Sequence, residues 1–284
     1  GQIADPHLSN KALEGRAEDI RPCLSCNQMC WGRRGRDYWI SCLVNPSAGR
    51  EFEWGGDRFI KTKSPKKILV VGGGPAGLEA ARVSAERGHE VTLAEAGDRL
   101  GGQFSLAGMQ PRRGQINDLL DWYARQLSQL GVEVRLNTFL DADEIKEFAA
   151  DKTVLATGSF PTDTGFQKAI PHVEKLPGIE LGGVFSAEDV MARRARPGKR
   201  VILLDEGGNW KGCGTAWKLA EDGHQVILVT PDPLIGKELQ RTAADYPLRQ
   251  RLAKLGVRFI LESAITKWSK EGAEILCFLD GNTQ

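Results

Sequence analysis

The chain has 284 residues, 38 basic against 37 acidic side chains, and a net charge of +1, a length that suggests about two domains. Hydrophobic residues at 41% and charged residues at 26% are the balance of an ordinary globular protein and exclude fibrous and disordered classes. Near-neutrality argues against nucleic acid as a partner, and no apolar run approaches the ~20 residues of a membrane span.

Gly1-Gln2-Ile3-Ala4-Asp5-Pro6 is neither basic nor followed by an apolar stretch, so no signal peptide is expected and the cytoplasm is the expected compartment. Four of the six cysteines then crowd into one short segment: Cys23, Cys26, Cys30 and Cys42, spaced C-x2-C-x3-C-x11-C. A disulfide framework would need export. Structural zinc often uses two separated C-x2-C pairs, and only one is present. Three cysteines in a compact loop with a fourth set apart suit a [4Fe–4S] cluster. Spacing alone favours iron–sulfur and leaves zinc open. Pro22 and Pro46 suit irregular chain rather than helix. Arg33-Arg34-Gly35-Arg36 could offset the charge of a thiolate-ligated cluster or form a solvated loop. Cys213 and Cys277 read as ordinary buried thiols.

Ile68-Leu69-Val70-Val71 predicts a buried strand, followed by Gly72-Gly73-Gly74-Pro75-Ala76-Gly77 and a helix stopped near Gly88. Gly72, Gly74 and Gly77 fill G-x-G-x-x-G, which permits a tight turn, close approach to a pyrophosphate and close helix–strand packing. The helix start offers free backbone N–H groups and a positive dipole end. The next strand, Val91–Glu95, ends in an acid 23 residues after Gly72, where a carboxylate meets a ribose hydroxyl. Leu100-Gly101-Gly102-Gln103 supplies a glycine turn near the ligand. Gln115–Leu130 predicts an amphipathic helix, Val132–Leu136 a strand and Asp141–Ala149 a short helix. Thr153–Gly158 is a short strand running into a glycine turn. It places Thr157 and Gly158 on the ligand side of an open α/β sheet.

A second β-α-β unit follows. Ser186-Ala187-Glu188-Asp189 resembles a helix N-cap. Val201–Leu204 leads into Asp205-Glu206-Gly207-Gly208-Asn209-Trp210-Lys211-Gly212, a helix ending near Gly223, and the strand Gln225–Thr230. This copy is degenerate: Asp205 and Glu206 stand where a phosphate wants glycine, Asn209 replaces a fingerprint glycine, and the second strand ends Thr230-Pro231 rather than in an acid or arginine. A retained fold with NAD(P) binding weak or lost is expected. Lys237–Leu255 reads as helical apart from Pro247, and Val257–Leu261, Ile265–Trp268 and Ala273–Leu279 as strands. Asp280-Gly281-Asn282 reads as a turn with no return strand. His7, His89, His172 and His224 lack metal-ligand spacing.

The combination resembles the C-terminal half of the iron–sulfur members of the old yellow enzyme family, of the trimethylamine dehydrogenase, histamine dehydrogenase and 2,4-dienoyl-CoA reductase type. The match rests on Ile20-Arg21-Pro22-Cys23-Leu24-Ser25-Cys26-Asn27 with Cys30, Cys42 and Asn45-Pro46, on Gly72–Gly77, on Leu100–Gln103 and on Ala156-Thr157-Gly158. The resemblance implies that Cys23, Cys26, Cys30 and Cys42 ligate a [4Fe–4S] cluster. It implies that Gly72, Gly74, Pro75, Ala76, Gly77, Glu95, Gly102, Gln103, Thr157 and Gly158 surround FAD, or ADP as in trimethylamine dehydrogenase. It places FMN in an N-terminal (β/α)8 barrel that this chain lacks, with Ile3–Glu18 resembling the barrel's exit segment and the family's closing segment expected beyond Gln284.

The expected architecture is therefore α/β, with two Rossmann-like folds preceded by an irregular cluster-binding segment and no TIM barrel. Residues 1–62 are the barrel-exit and cluster segment, 63–183 an incomplete FAD/ADP-binding fold, and 184–284 a degenerate NAD(P)-type fold. The expected function is the electron-transfer portion of an iron–sulfur flavoprotein oxidoreductase of amine dehydrogenase or N-demethylase type. NAD(P)H-dependent enoyl reduction is the alternative within the family, and a zinc-stabilised nucleotide-binding scaffold the alternative outside it. Implied partners are an FMN-bearing barrel of the same or another chain, and an electron-carrier protein or NAD(P)H. Catalytic residues, substrate and homo-oligomeric state are not legible.

Overall fold

The computed structural model describes residues 1–55 and 59–284. They divide into two compact units: residues 1–108 with 113–159, and residues 109–112 with 160–284. The cysteine segment and the first nucleotide fold thus share one unit, whereas the sequence-based division draws a line between them.

The first unit begins with α1 (Leu8–Leu13), a 3-10 turn at Ala17–Asp19, α2 (Trp31–Arg34) and α3 (Glu51–Trp54). Then β1 (Lys67–Val71), α4 (Pro75–Glu86), β2 (Glu90–Ala94), α5 (Gly102–Gly108), α6 (Gln115–Gln129), β3 (Glu133–Arg135), α7 (Ala142–Glu147) and β4 (Lys152–Leu155) build a sheet in the order β3-β2-β1-β4. Every neighbouring pair is parallel. Because the chain order reverses between β1 and β4, their carboxyl ends frame the crevice where open α/β sheets take ligands. The two central strands are apolar because both faces are covered; Leu69, Val70 and Leu93 have no exposed surface. α6 buries Ile116, Leu119, Trp122, Tyr123 and Leu127, one helical face. Asp141 caps α7 in a reciprocal box with Glu144.

The same α6 grips the cysteine segment. Gln115 donates to the Leu24 carbonyl at 3.2 Å, Trp122 Nε1 to the Asp19 carbonyl at 2.9 Å, and Arg125 to the Glu18 carbonyl at 3.2 Å. The Arg21 guanidinium lies 4.7 Å from the Trp122 ring centroid.

The second unit contains α8 (Ala187–Met191), β5 (Arg200–Leu204), α9 (Trp210–Glu221), β6 (Gln225–Val229), a 3-10 turn at Lys237–Thr242, α10 (Asp245–Lys254), β7 (Arg258–Ile260), β8 (Ser263–Trp268) and β9 (Ala273–Cys277). β5, β6 and β7 form a parallel sheet in that order, and β8 and β9 an antiparallel pair. The expected Ser186 cap is present, accepting the Asp189 N–H.

Two expectations need correction here. The stretch expected as one helix over Lys237–Leu255 is broken at Ala243, which takes a left-handed conformation at φ +56°. Pro247 then falls in the first turn of α10, where a missing N–H costs little. The chain after β9 does begin a return: Ile275 and Gln284 exchange backbone hydrogen bonds at 2.9 and 3.0 Å, and Leu276 bridges Thr283. The Asp280 carboxylate accepts the Asn282 N–H and shapes that turn. Among the described residues, no helix is long and apolar enough to cross a membrane.

Candidate cofactor sites

The four clustered cysteines are all free thiols, Cys23 exposed and Cys26, Cys30 and Cys42 half-buried. Cys26 and Cys42 pack against the core of the first unit, next to Leu24 and Val44. Burial pushes the Cys26 thiol up, and the neighbouring Cys30, Cys42 and Cys23 push it the same way. The loop folds so that backbone N–H groups turn toward sulfur. Ser25 donates to Cys23 Sγ at 3.4 Å, and Gln28 to Cys26. Ser25 and Asn27 take left-handed conformations at φ +51° and +55° to do this.

The base of this loop is closed by residues the sequence did not single out. Asp5, 1% exposed, accepts the Arg21 N–H at 2.8 Å, the His7 N–H at 2.9 Å and Lys11 Nζ at 2.8 Å. Asn45 donates to the Ile3 carbonyl at 3.0 Å. Both flanks of the cysteine loop are therefore pinned to residues 3–5. Half-buried Arg113, just before α6, lies within electrostatic range of Cys26. Of the expected basic run, Arg34 and Arg36 are exposed. No spacing rule points to Arg113; only the docking of α6 brings it there. Among the described residues, no three His, Cys, Asp or Glu side chains converge tightly enough for a single metal ion.

The glycine turn after β1 meets several of the residues expected of the nucleotide site: Glu95 bonds to Gly73, and Gly102 packs against Gly74. At Gly72, φ +108°, an added Cβ would lie 2.3 Å from the Ala156 carbonyl oxygen, so the turn requires glycine. At Gly77 it would lie 1.8 Å from the Gly72 oxygen, which is the close packing of α4 on β1. At Gly74 it would meet nothing within 4 Å, so that side of the turn is open. Pro75 opens α4, and Pro75 and Ala76 are exposed beside it. No acid sits in the first turn of α4, which leaves its N–H groups and dipole available to an anion.

Glu95 follows β2 and divides its carboxylate between two turns: Oε2 accepts the Gly73 N–H and Oε1 the Gly97 N–H, each at 2.6 Å. A carboxylate has about four acceptor positions, so capacity for a ribose diol remains. Gly102, φ +51°, packs against Gly74, and Gln103 donates to the Ser159 carbonyl. Thr157 and Gly158 follow β4 and are exposed. The donor set and the open turn fit the pyrophosphate and ribose of FAD or ADP.

In the second unit, Asp205 follows β5, buried, with Oδ1 accepting the N–H groups of Gly207 and Gly208 at 3.1 and 3.0 Å. Glu206 accepts the N–H groups of Lys168 and Ala169, each at 3.0 Å. Asn209 caps α9 by accepting the Lys211 N–H at 2.9 Å. Thr230 is buried after β6, and Asp232, two residues farther on, turns toward Gly208. Thr230, rather than an acid, thus stands directly after the strand, as expected, with Asp232 farther into the loop. Cys213 is buried as expected, and Cys277 is half-buried.

The FAD dependent oxidoreductase family matches residues 67–146, and the pyridine nucleotide-disulphide oxidoreductase family matches residues 138–284, more than half of the chain. The chain belongs to the pyridine nucleotide-disulphide oxidoreductase family. Both matching families are oxidoreductase families. The chain is 41% identical over 227 residues to cinnamate reductase of Clostridium sporogenes, covering 80% of this chain and 32% of that protein. It is 39% identical over 231 residues to N,N-dimethylglycine/sarcosine dehydrogenase of Chromohalobacter salexigens, covering 81% and 33%. The structure of histamine dehydrogenase from Rhizobium sp. 4-9 superposes with a TM-score of 0.92 at 32% identity, covering all of this chain and 44% of that one. The chain thus spans about a third of the curated relatives it matches.

Proposed function

We propose that this chain is the electron-transfer portion of an iron–sulfur flavoprotein oxidoreductase of the amine dehydrogenase or N-demethylase type. The observation that carries the reading is the joining of two sites by one helix. α6 binds the cysteine loop through Gln115 and the segment just ahead of it through Trp122 and Arg125, and it packs on α4, whose start forms the nucleotide turn.

Cys23, Cys26, Cys30 and Cys42 would hold a [4Fe–4S] cluster. The reading rests on four free thiols spaced C-x2-C-x3-C-x11-C, of which Cys26 and Cys42 pack against the core of the first unit. When bound, such a cluster supplies one-electron transfer at a potential set by charge, burial and hydrogen bonds to sulfur. The Ser25 and Gln28 N–H groups and the Arg113 charge would favour its electron-rich form, and Leu24 and Val44 would limit water on the core side. The Gly72–Gly77 turn, the start of α4 and Glu95 would hold the pyrophosphate and ribose of FAD or ADP, with Gly102, Gln103, Thr157 and Gly158 around it. An FMN-bearing barrel, of the same polypeptide or another, and an electron-carrier protein are the proposed partners, and the cytoplasm the proposed compartment.

A second reading, NAD(P)H-driven enoyl reduction, is favoured by the likeness to cinnamate reductase. The turn after β5 opposes it, because its backbone donors are already held by Asp205 and Asn209.

Anaerobic reductive titration of the full polypeptide tests the proposal. Visible absorption should bleach, and a low-temperature paramagnetic signal should appear that is lost in Cys26→Ser. A polypeptide with bound nucleotide but neither change would be a scaffold rather than an electron carrier.

A further inference from the structure

We propose that Asp205 is a built-in anion that closes the second nucleotide fold to pyridine dinucleotides and so limits which electron carrier this protein can use. The two turns begin with the same strand-to-strand hydrogen bond, although the second is two residues longer. Gly72 follows β1 and donates its N–H to Ala94 on the neighbouring strand at 2.8 Å; Asp205 follows β5 and donates to Val229 on its neighbouring strand at 2.8 Å. An acid therefore stands where the first unit has the glycine that lets its turn tighten.

That acid is built in. Asp205 is 4% exposed, and besides the Gly207 and Gly208 N–H groups it accepts Cys213 Sγ–H at 3.4 Å through Oδ2. Gly212, in the first turn of α9, is glycine for its sake: an added Cβ would lie 2.4 Å from Asp205 Cγ. The equivalent close approach in the first unit, Gly77 against Gly72, is backbone on backbone and leaves the turn's outer side open. In the second unit the side chain fills the gap and takes the donors that elsewhere meet a phosphate.

The surrounding charges do not offset it. Asp232 lies against Gly208, with Oδ2 3.2 Å from where a Cβ would be, and pairs with Lys237 at 2.7 Å. Lys211 pairs with Glu188 at 2.5 Å. Glu206 is held by the Lys168 and Ala169 N–H groups. An incoming pyrophosphate would meet two carboxylates, with the adjacent lysines already engaged. The inference concerns the second unit alone and stands whether or not the cysteines hold iron.

Equilibrium dialysis of NADH and NADPH against the full polypeptide tests it. Wild type should show no saturable binding up to ~1 mM, a ceiling of about −4 kcal/mol. Asp205→Gly should bind at least tenfold more tightly than wild type. Asp205→Asn, which has the same shape without the charge, should gain at least threefold, and it decides the matter if the glycine variant does not fold. Saturable wild-type binding that persists when Gly74→Glu closes the first turn would overturn the proposal. So would the absence of a gain in folded Asp205 variants.

Discussion

Glu95 Oε2 accepts the Gly73 N–H at 2.6 Å, so the acid at the end of β2 is fastened to the turn that follows β1. Because Oε1 also holds Gly97, the carboxylate is positioned before any ribose arrives, and binding does not have to order it. Glu95→Gln replaces one accepting oxygen with an NH2 that would face an N–H. Affinity for ADP, measured by calorimetry on nucleotide-stripped polypeptide, is expected to fall at least tenfold, or about 1.4 kcal/mol. Unchanged affinity would remove Glu95 from the site.

Gly74 and Gly77 separate binding from folding. Gly74→Glu projects a charged side chain into the open side of the turn, where nothing lies within 4 Å. Nucleotide content should be lost, with melting temperature and iron content kept. Gly77→Ala instead drives a methyl to within 1.8 Å of the Gly72 oxygen. It should cost ~1–3 kcal/mol of stability through overpacking, read as a lowered denaturation midpoint. Loss of iron in Gly74→Glu would show that the two sites are not independent.

Asp5 makes the cysteine loop sensitive to acid. Burial alone would push its carboxyl up, but Lys11 and the N–H groups of Arg21 and His7 outweigh it and hold the carboxyl below its ordinary value. A depressed folded value means that the contribution is complete above the unfolded value and is lost as pH falls through the folded one. Stability measured by denaturant titration should therefore decline below about pH 4, and less steeply in Asp5→Asn. At neutral pH that variant should be less stable by about 2–4 kcal/mol, because Lys11 and two backbone donors lose a buried acceptor.

Trp122 is the hinge pin between α6 and the segment ahead of Cys23. Trp122→Phe keeps a ring under Arg21 but removes the 2.9 Å bond to the Asp19 carbonyl, at an expected cost of about 1 kcal/mol. Trp122→Ala should cost ~3–5 kcal/mol and hasten loss of visible absorbance in air. If both variants melt like wild type, α6 does not anchor the loop.

The parts of this architecture legible in the sequence are those whose signal is local. The strand before Gly72, the glycine turn, the acid at Glu95 and the Ser186 cap each follow from residues a few positions apart. So does the cysteine spacing. What stayed hidden depends on contacts distant in sequence. Asp5 meets Arg21 across sixteen positions, and Arg113 comes within electrostatic range of Cys26 across a still longer separation in sequence. Asp205 was legible as an obstacle to phosphate, but not as the acceptor that Gly207 and Gly208 wrap. The break at Ala243 escaped because alanine carries no left-handed preference, and the return after β9 because Thr283 and Gln284 have no strand periodicity of their own.

The most direct test is iron and acid-labile sulfide analysis of the anaerobically purified full polypeptide. The account predicts about four iron and four sulfide per chain, abolished together by Cys23→Ser or Cys42→Ser. One zinc per chain, with no labile sulfide and no visible absorption, would contradict it.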